Sequence, residues 1–247
     1  MELHKDILKY NYNRKTLDGE SIVLIIKSLV DFYSLREYVE CVEIKAKRTP
    51  YLGAYLLDEK KIIINPYVVR TDYRQEIHNL YIINTILHEI EHAIQSKMAD
   101  DPRNDSLRII VKEGIELGKR CPTNLNIYEL LLYKMFYQYI LIERNAEITA
   151  NIKLLRLNEE LDILSTKEID YLKFNIINRV IMGYTPKTNP VKKYYRLRHK
   201  QAEYNQIPFN ESYSIRERLS WGMPIDDSLF QEVKKEYRKQ LLKKEYS

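Results

Sequence analysis

The sequence predicts an α+β chain that is mostly helical, with a small antiparallel sheet packed on a metal-binding helix and a second, glutamate-bearing helix, and a helical C-terminal part. Three observations carry that expectation. Apolar residues recur at helical spacing over several long stretches, and between residues 42 and 65 the spacing switches to alternation. With only 6 Gly and 8 Pro among 247 residues, and 45% hydrophobic residues, the chain has few breakers and enough apolar material for a sizeable core.

Taken in order, Asp18 to Tyr38 reads as an amphipathic helix with Asp18 as its N-cap. A strand comes next, with Val42, Ile44 and Ala46 on one side and Glu43, Lys45 and Lys47 on the other. Leu52, Ala54 and Leu56 then alternate with Tyr51, Gly53 and Tyr55. Asp58 to Lys60 offers a polar turn, and Lys61 to Asn65 is a β-branched run closed by Pro66, so the segment reads as a hairpin. From Ile82 to Gln95 the residues Ile83, Ile86, Leu87, Ile90, Ala93 and Ile94 mark one face of a helix. A further helical pattern runs from about Asn124 to Leu157, and Ser165 with Glu168 forms a capping box for a helix ending near Gly183. Tyr184 to Pro190 is the clearest loop. It divides residues 1–183, a core with the N-terminal helix, sheet and metal helices, from residues 184–247, a helical extension that either stands alone or belongs to the same domain. Helical patterns recur there at Val191 to Tyr204, Ser214 to Trp221 and Asp226 to Tyr246, and no internal repeat is visible.

The helix at Ile82 to Gln95 contains His88, Glu89, Ile90, Glu91 and His92, the pattern HExxH. Positions i and i+4 project from one helix face about 5–6 Å apart, so the two imidazoles can grip one zinc ion with Glu89 beside it. A catalytic zinc takes three protein ligands, so a third is expected elsewhere. The helical stripe Tyr133, Phe136, Ile140, Glu143, Glu147, Ala150, Leu154 puts two carboxylates where the spacing predicts core. Two like charges there are unfavourable without a counter-charge. Zinc bound through Glu143, with Glu147 hydrogen-bonded to a ligand histidine, removes the conflict; so does the exchange of the two roles. The plainer reading is a solvated face pairing with Arg144 or Lys153.

HEIEHAIQ followed by a helix carrying ExxAExxA resembles the gluzincin metallopeptidases, and within them is most similar to the intracellular peptidases of the ImmA/IrrE type. The resemblance spans roughly Tyr51 to Leu157. It departs at Glu91, where a glycine is common in the ImmA/IrrE group. It implies that His88, His92 and Glu143 are zinc ligands, Glu89 the catalytic carboxylate and Glu147 the outer partner. It also implies that a strand at the sheet edge beside the metal helix binds the substrate backbone, and that a repressor or other regulator is cut.

The expectation is therefore a zinc-dependent metallopeptidase acting on a protein or peptide substrate, with Zn2+ its one cofactor and Glu89 moving the proton of the attacking water. A second donor to the oxyanion is expected from His199, Tyr194 or Tyr195. The alternative is a non-catalytic zinc-binding regulatory or interaction module built on the same ligands. The net charge of +5 is modest, and the run Lys192, Lys193, Arg196, Arg198, His199, Lys200 reads as a solvated helix face, so nucleic acid is not indicated. Met1 to Asn13 has no apolar signal region, and Ser21 to Val30 is too short to span a bilayer, so neither secretion nor a membrane is expected. Cys41 and Cys121 lack the spacing of a metal knuckle or redox pair and are expected to be reduced, mostly buried thiols of a cytoplasmic protein. No feature specifies an oligomeric state.

Overall fold

A computed structural model describes residues 16–47, 49, 51–72, 77–105, 107–112 and 141–184, together with 5, 6, 8, 9, 12, 226, 228–232, 234 and 235. Helix α1, Gly19–Phe32, begins as its cap predicts: the Asp18 carboxylate accepts the Ser21 N–H at 2.8 Å. It ends six residues earlier than the hydrophobic pattern suggests. Ser34 adopts a left-handed conformation (φ 53°), the Ser34 N–H donates to the Asp31 carbonyl and the Leu35 N–H to the Val30 carbonyl. This is a Schellman closure with serine in glycine's usual place, and the fully buried Leu35 is the hydrophobic residue that seals it.

Three strands come after α1, β1 Cys41–Ile44, β2 Gly53–Leu56 and β3 Lys61–Ile64, in the spatial order β1-β3-β2. The sheet is mixed rather than antiparallel: β2 pairs antiparallel with β3, whereas β1 pairs parallel with it. The turn Leu57–Lys60 closes the hairpin, with Lys60 at φ 45°. That leaves the other edge of β3 for β1, and two chain reversals separate these strands, so they run the same way. As the central strand, β3 is apolar throughout its buried part, Ile62, Ile63 and Ile64. Cys41, at the start of an edge strand, is an exposed free thiol, contrary to the expectation of burial; Cys121 lies outside the described residues.

Asn65 ties the sheet to the next helix. Fully buried, it donates through Nδ2 to the Lys47 carbonyl (3.0 Å) and to Thr49 Oγ1 (2.6 Å). Its N–H reaches the Leu52 carbonyl at 2.7 Å, and its Oδ1 accepts the Val68 N–H at 3.3 Å. One side chain thus holds the connection into β2 against the start of α2, Pro66–Asp72.

Helix α3, His78–Ala99, buries Ile82, Ile83, Ile86, Ile90 and Ala93 and packs against β2, β3, α1 and α2. Helix α4, Leu141–Leu161, and helix α5, Thr166–Tyr184, complete the longer elements among the described residues. The capping box of α5 is formed: the Ser165 N–H donates to Glu168 Oε2 at 2.8 Å and the Glu168 N–H to Ser165 Oγ at 3.4 Å. Near the C-terminus, Asp226 Oδ1 caps a helical turn by accepting the Ser228 and Leu229 N–H groups. The patterns at Val191 to Tyr204 and Ser214 to Trp221 lie outside the described residues.

The chain divides into two compact units, one made of Met1–Asp101 with Lys153–Leu172, the other of Pro102–Ile152 with Lys173–Ser247. In the first unit, Lys153 of α4 pairs with the buried Glu91 of α3, and its ammonium lies 4.0 Å from the centre of the Tyr33 ring. Of the loop expected at Tyr184 to Pro190, only Tyr184, the last residue of α5, is described. No helix among the described residues is long and apolar enough to cross a membrane.

Candidate metal centre

His88 and His92 are one helical turn apart on α3, so their rings meet on one face: the ring planes stand at 81° and the two Nε2 atoms are 3.1 Å apart. Two imidazole nitrogens sharing a tetrahedral zinc at 2.0–2.1 Å would be about 3.3 Å apart. The pair is therefore spaced as a bidentate half-site. His92 is further oriented by Gln95, whose Oε1 lies 2.9 Å from Nδ1 and is itself buried with its side chain. A Gln95 oxygen accepting from Nδ1 would set the tautomer in which Nε2 can serve a metal.

Glu89 is buried, 5% exposed, against β2. Carboxylates are rarely so enclosed, and this one sits beside the two histidines in sequence and on the same helix.

Glu143 and Glu147 lie in the first part of α4. Glu143 is buried, as the helical stripe predicts, and Glu147 half-buried. One ligand atom from each of His88, His92 and Glu143 lies within 4.8 Å of the others. Glu147 Oε1 accepts from Asn175 Nδ2 at 2.7 Å and from Asn151 Nδ2 at 3.3 Å, which fixes its carboxylate one turn along the same helix. Lys153, one of the two cations that a solvated glutamate face would employ, is engaged with Glu91 instead. Two nitrogens and a carboxylate oxygen are a donor set that zinc accepts.

Neither Gln95, which ends the quoted HEIEHAIQ stretch, nor Gly53 was given a role at the site by the sequence. Gln95 had a local signal, since i and i+3 share a helix face. Gly53 had only its presence inside a strand, which marks close approach of another backbone or side chain. The candidate oxyanion donors Tyr194, Tyr195 and His199, and the stripe residues Tyr133, Phe136 and Ile140, lie outside the described residues. A scan of protein-family models, a search of curated proteins and a search of solved structures each return no match to the chain.

Proposed function

We propose that the chain is a zinc-dependent metallopeptidase that hydrolyses peptide bonds of a protein substrate inside the cell. The observation that carries this reading is the convergence of ligand atoms from His88, His92 and Glu143 within 4.8 Å, beside a buried Glu89 in an HExxH helix. His88, His92 and Glu143 would hold the metal, and Glu147 would steady a ligand from outside. Zinc bound there supplies Lewis acidity, which brings the pKa of a water towards neutrality and polarises a carbonyl.

Glu89 is the general base in this reading. It takes a proton from the attacking water as the C–O bond forms, then gives it to the amine as the C–N bond breaks. Strand β2, at the sheet edge and packed on α3, is the element against which an extended substrate backbone would lie, offering main-chain donors and acceptors to either neighbour residue of the scissile bond. A regulator such as a repressor is the proposed substrate class.

The test is zinc per chain in the purified protein beside Glu143→Ala and Glu89→Gln, with hydrolysis followed on a mixed peptide library by mass spectrometry. The expected result is one zinc in the wild type, a sharp loss in Glu143→Ala, and full zinc with hydrolysis lost in Glu89→Gln. A wild type that takes up no zinc after reconstitution would overturn the proposal.

A further inference from the structure

Gly53 opens β2, the edge strand that lies on α3. Its φ lies outside the left-handed range, so glycine is not needed there for backbone conformation. Space is what it provides. A Cβ at this position would stand 2.5 Å from Thr85 Cγ2, 2.8 Å from Glu89 Oε1 and 3.1 Å from Glu89 Cγ. All three distances are shorter than a carbon atom tolerates without movement of its neighbour.

The two neighbours differ in how they can give way. Thr85 is β-branched and held by its hydroxyl, which donates to the Tyr81 carbonyl at 2.7 Å, so its methyl is fixed in place. Glu89 meets the slot with Cγ and Oε1 of an unbranched side chain, which has more rotamers through which to give way. We propose that Gly53 is a positioning residue for Glu89: the missing side chain lets the edge strand settle on α3 and leaves the slot in which the Glu89 carboxylate is seated. Its catalytic consequence rests on the peptidase reading above; its geometric content does not.

The two contacts can be separated by mutation. Gly53→Ala alone meets both Thr85 and Glu89, and strains the packing of β2 on α3. Thr85→Ser keeps the hydroxyl that bonds Tyr81 and removes the methyl, so Gly53→Ala/Thr85→Ser restores the strand while leaving the added methyl against Glu89. The measurements are crystal structures, melting temperatures, zinc per chain and steady-state hydrolysis of a library-derived peptide, for wild type, each single variant and the double.

The double variant is expected to melt within a few degrees of Thr85→Ser and to keep one zinc, with the Glu89 carboxylate displaced by about 1 Å or more. A displacement of that size lowers kcat by roughly 10- to 100-fold with little change in KM, while Thr85→Ser alone keeps wild-type kcat. A double variant whose Glu89 carboxylate stays at its wild-type position, whether or not β2 has lifted, overturns the inference. Because that readout is structural, a wild type without zinc or turnover would sink the peptidase reading and still leave the positioning of Glu89 decided.

Discussion

At the scale of single residues, the two histidines and their spacing were visible from sequence because helical periodicity alone brings i and i+4 together. What orients them was not. Gln95 holds His92 Nδ1 at 2.9 Å from the same helix, a task the sequence suggested for a glutamate of the neighbouring one. Replacing Gln95 with leucine keeps the volume roughly constant and removes the acceptor. Zinc affinity is expected to fall by about 10- to 100-fold, as for other outer partners of metal-bound histidines. Competition with a chromophoric chelator measures it, and unchanged affinity would show that the Nδ1 contact does not tune the site. Asn65 makes a second residue-scale case. Its fully buried amide serves two acceptors and one donor, and Asn65→Ala leaves those backbone and hydroxyl partners without it. A loss of about 2–4 kcal/mol in urea unfolding is expected, from groups left unsatisfied where water does not reach. The sequence marked Asn65 only as the residue before Pro66, since its partners at 47, 49 and 68 are assembled by the fold.

Elements were more legible at their beginnings than at their ends or in their pairing. The caps at Asp18 and Ser165 are local chemistry and appear where the sequence places them. The end of α1 depends on Ser34 taking a left-handed conformation, which a serine does not advertise. The hairpin was legible from its turn, but the parallel partner of β3 was not, because parallel pairing is decided by chain path and not by alternation. Glu91 of α3 and Lys153 of α4 form a buried pair. Burial alone would lower the Lys153 pKa; the charge of Glu91, aided by Tyr33, outweighs this and raises it. A raised lysine value means that the pair's stabilisation is present below the unfolded value near 10.5 and is lost only as the pH climbs past the folded one. Lys153→Met strands a buried carboxylate and should cost about 3–5 kcal/mol, whereas Glu91→Leu/Lys153→Met should recover most of it. Urea unfolding at pH 8 measures the gap from wild type; a gap below about 1 kcal/mol in the single variant would show that Glu91 finds another partner.

For the whole molecule, the question is whether a metal bound at the proposed site would hold the fold or only work on it. The core around α3 is made by Ile82, Ile83, Ile86 and Ile90 against β3 and α1, and none of these contacts needs an ion. The histidines stand at the border of that core, half-buried, and not inside it. This argues against a zinc whose binding energy is folding energy, the case in which an apo chain is unfolded. Chelation with EDTA is therefore expected to leave the helical circular dichroism signal and a cooperative thermal transition. The melting temperature should drop by several degrees, because zinc at about 100 times its Kd contributes about 2.7 kcal/mol and each kcal/mol moves a chain of this size by about 2–4 °C. Loss of the transition altogether would instead favour a structural zinc, the interaction-module alternative. A melting temperature indifferent to EDTA, in protein shown to carry zinc, would place the ion away from the folded core's energetics. The outcome turns on which apolar residues surround the site, and helical spacing alone marks those in the sequence.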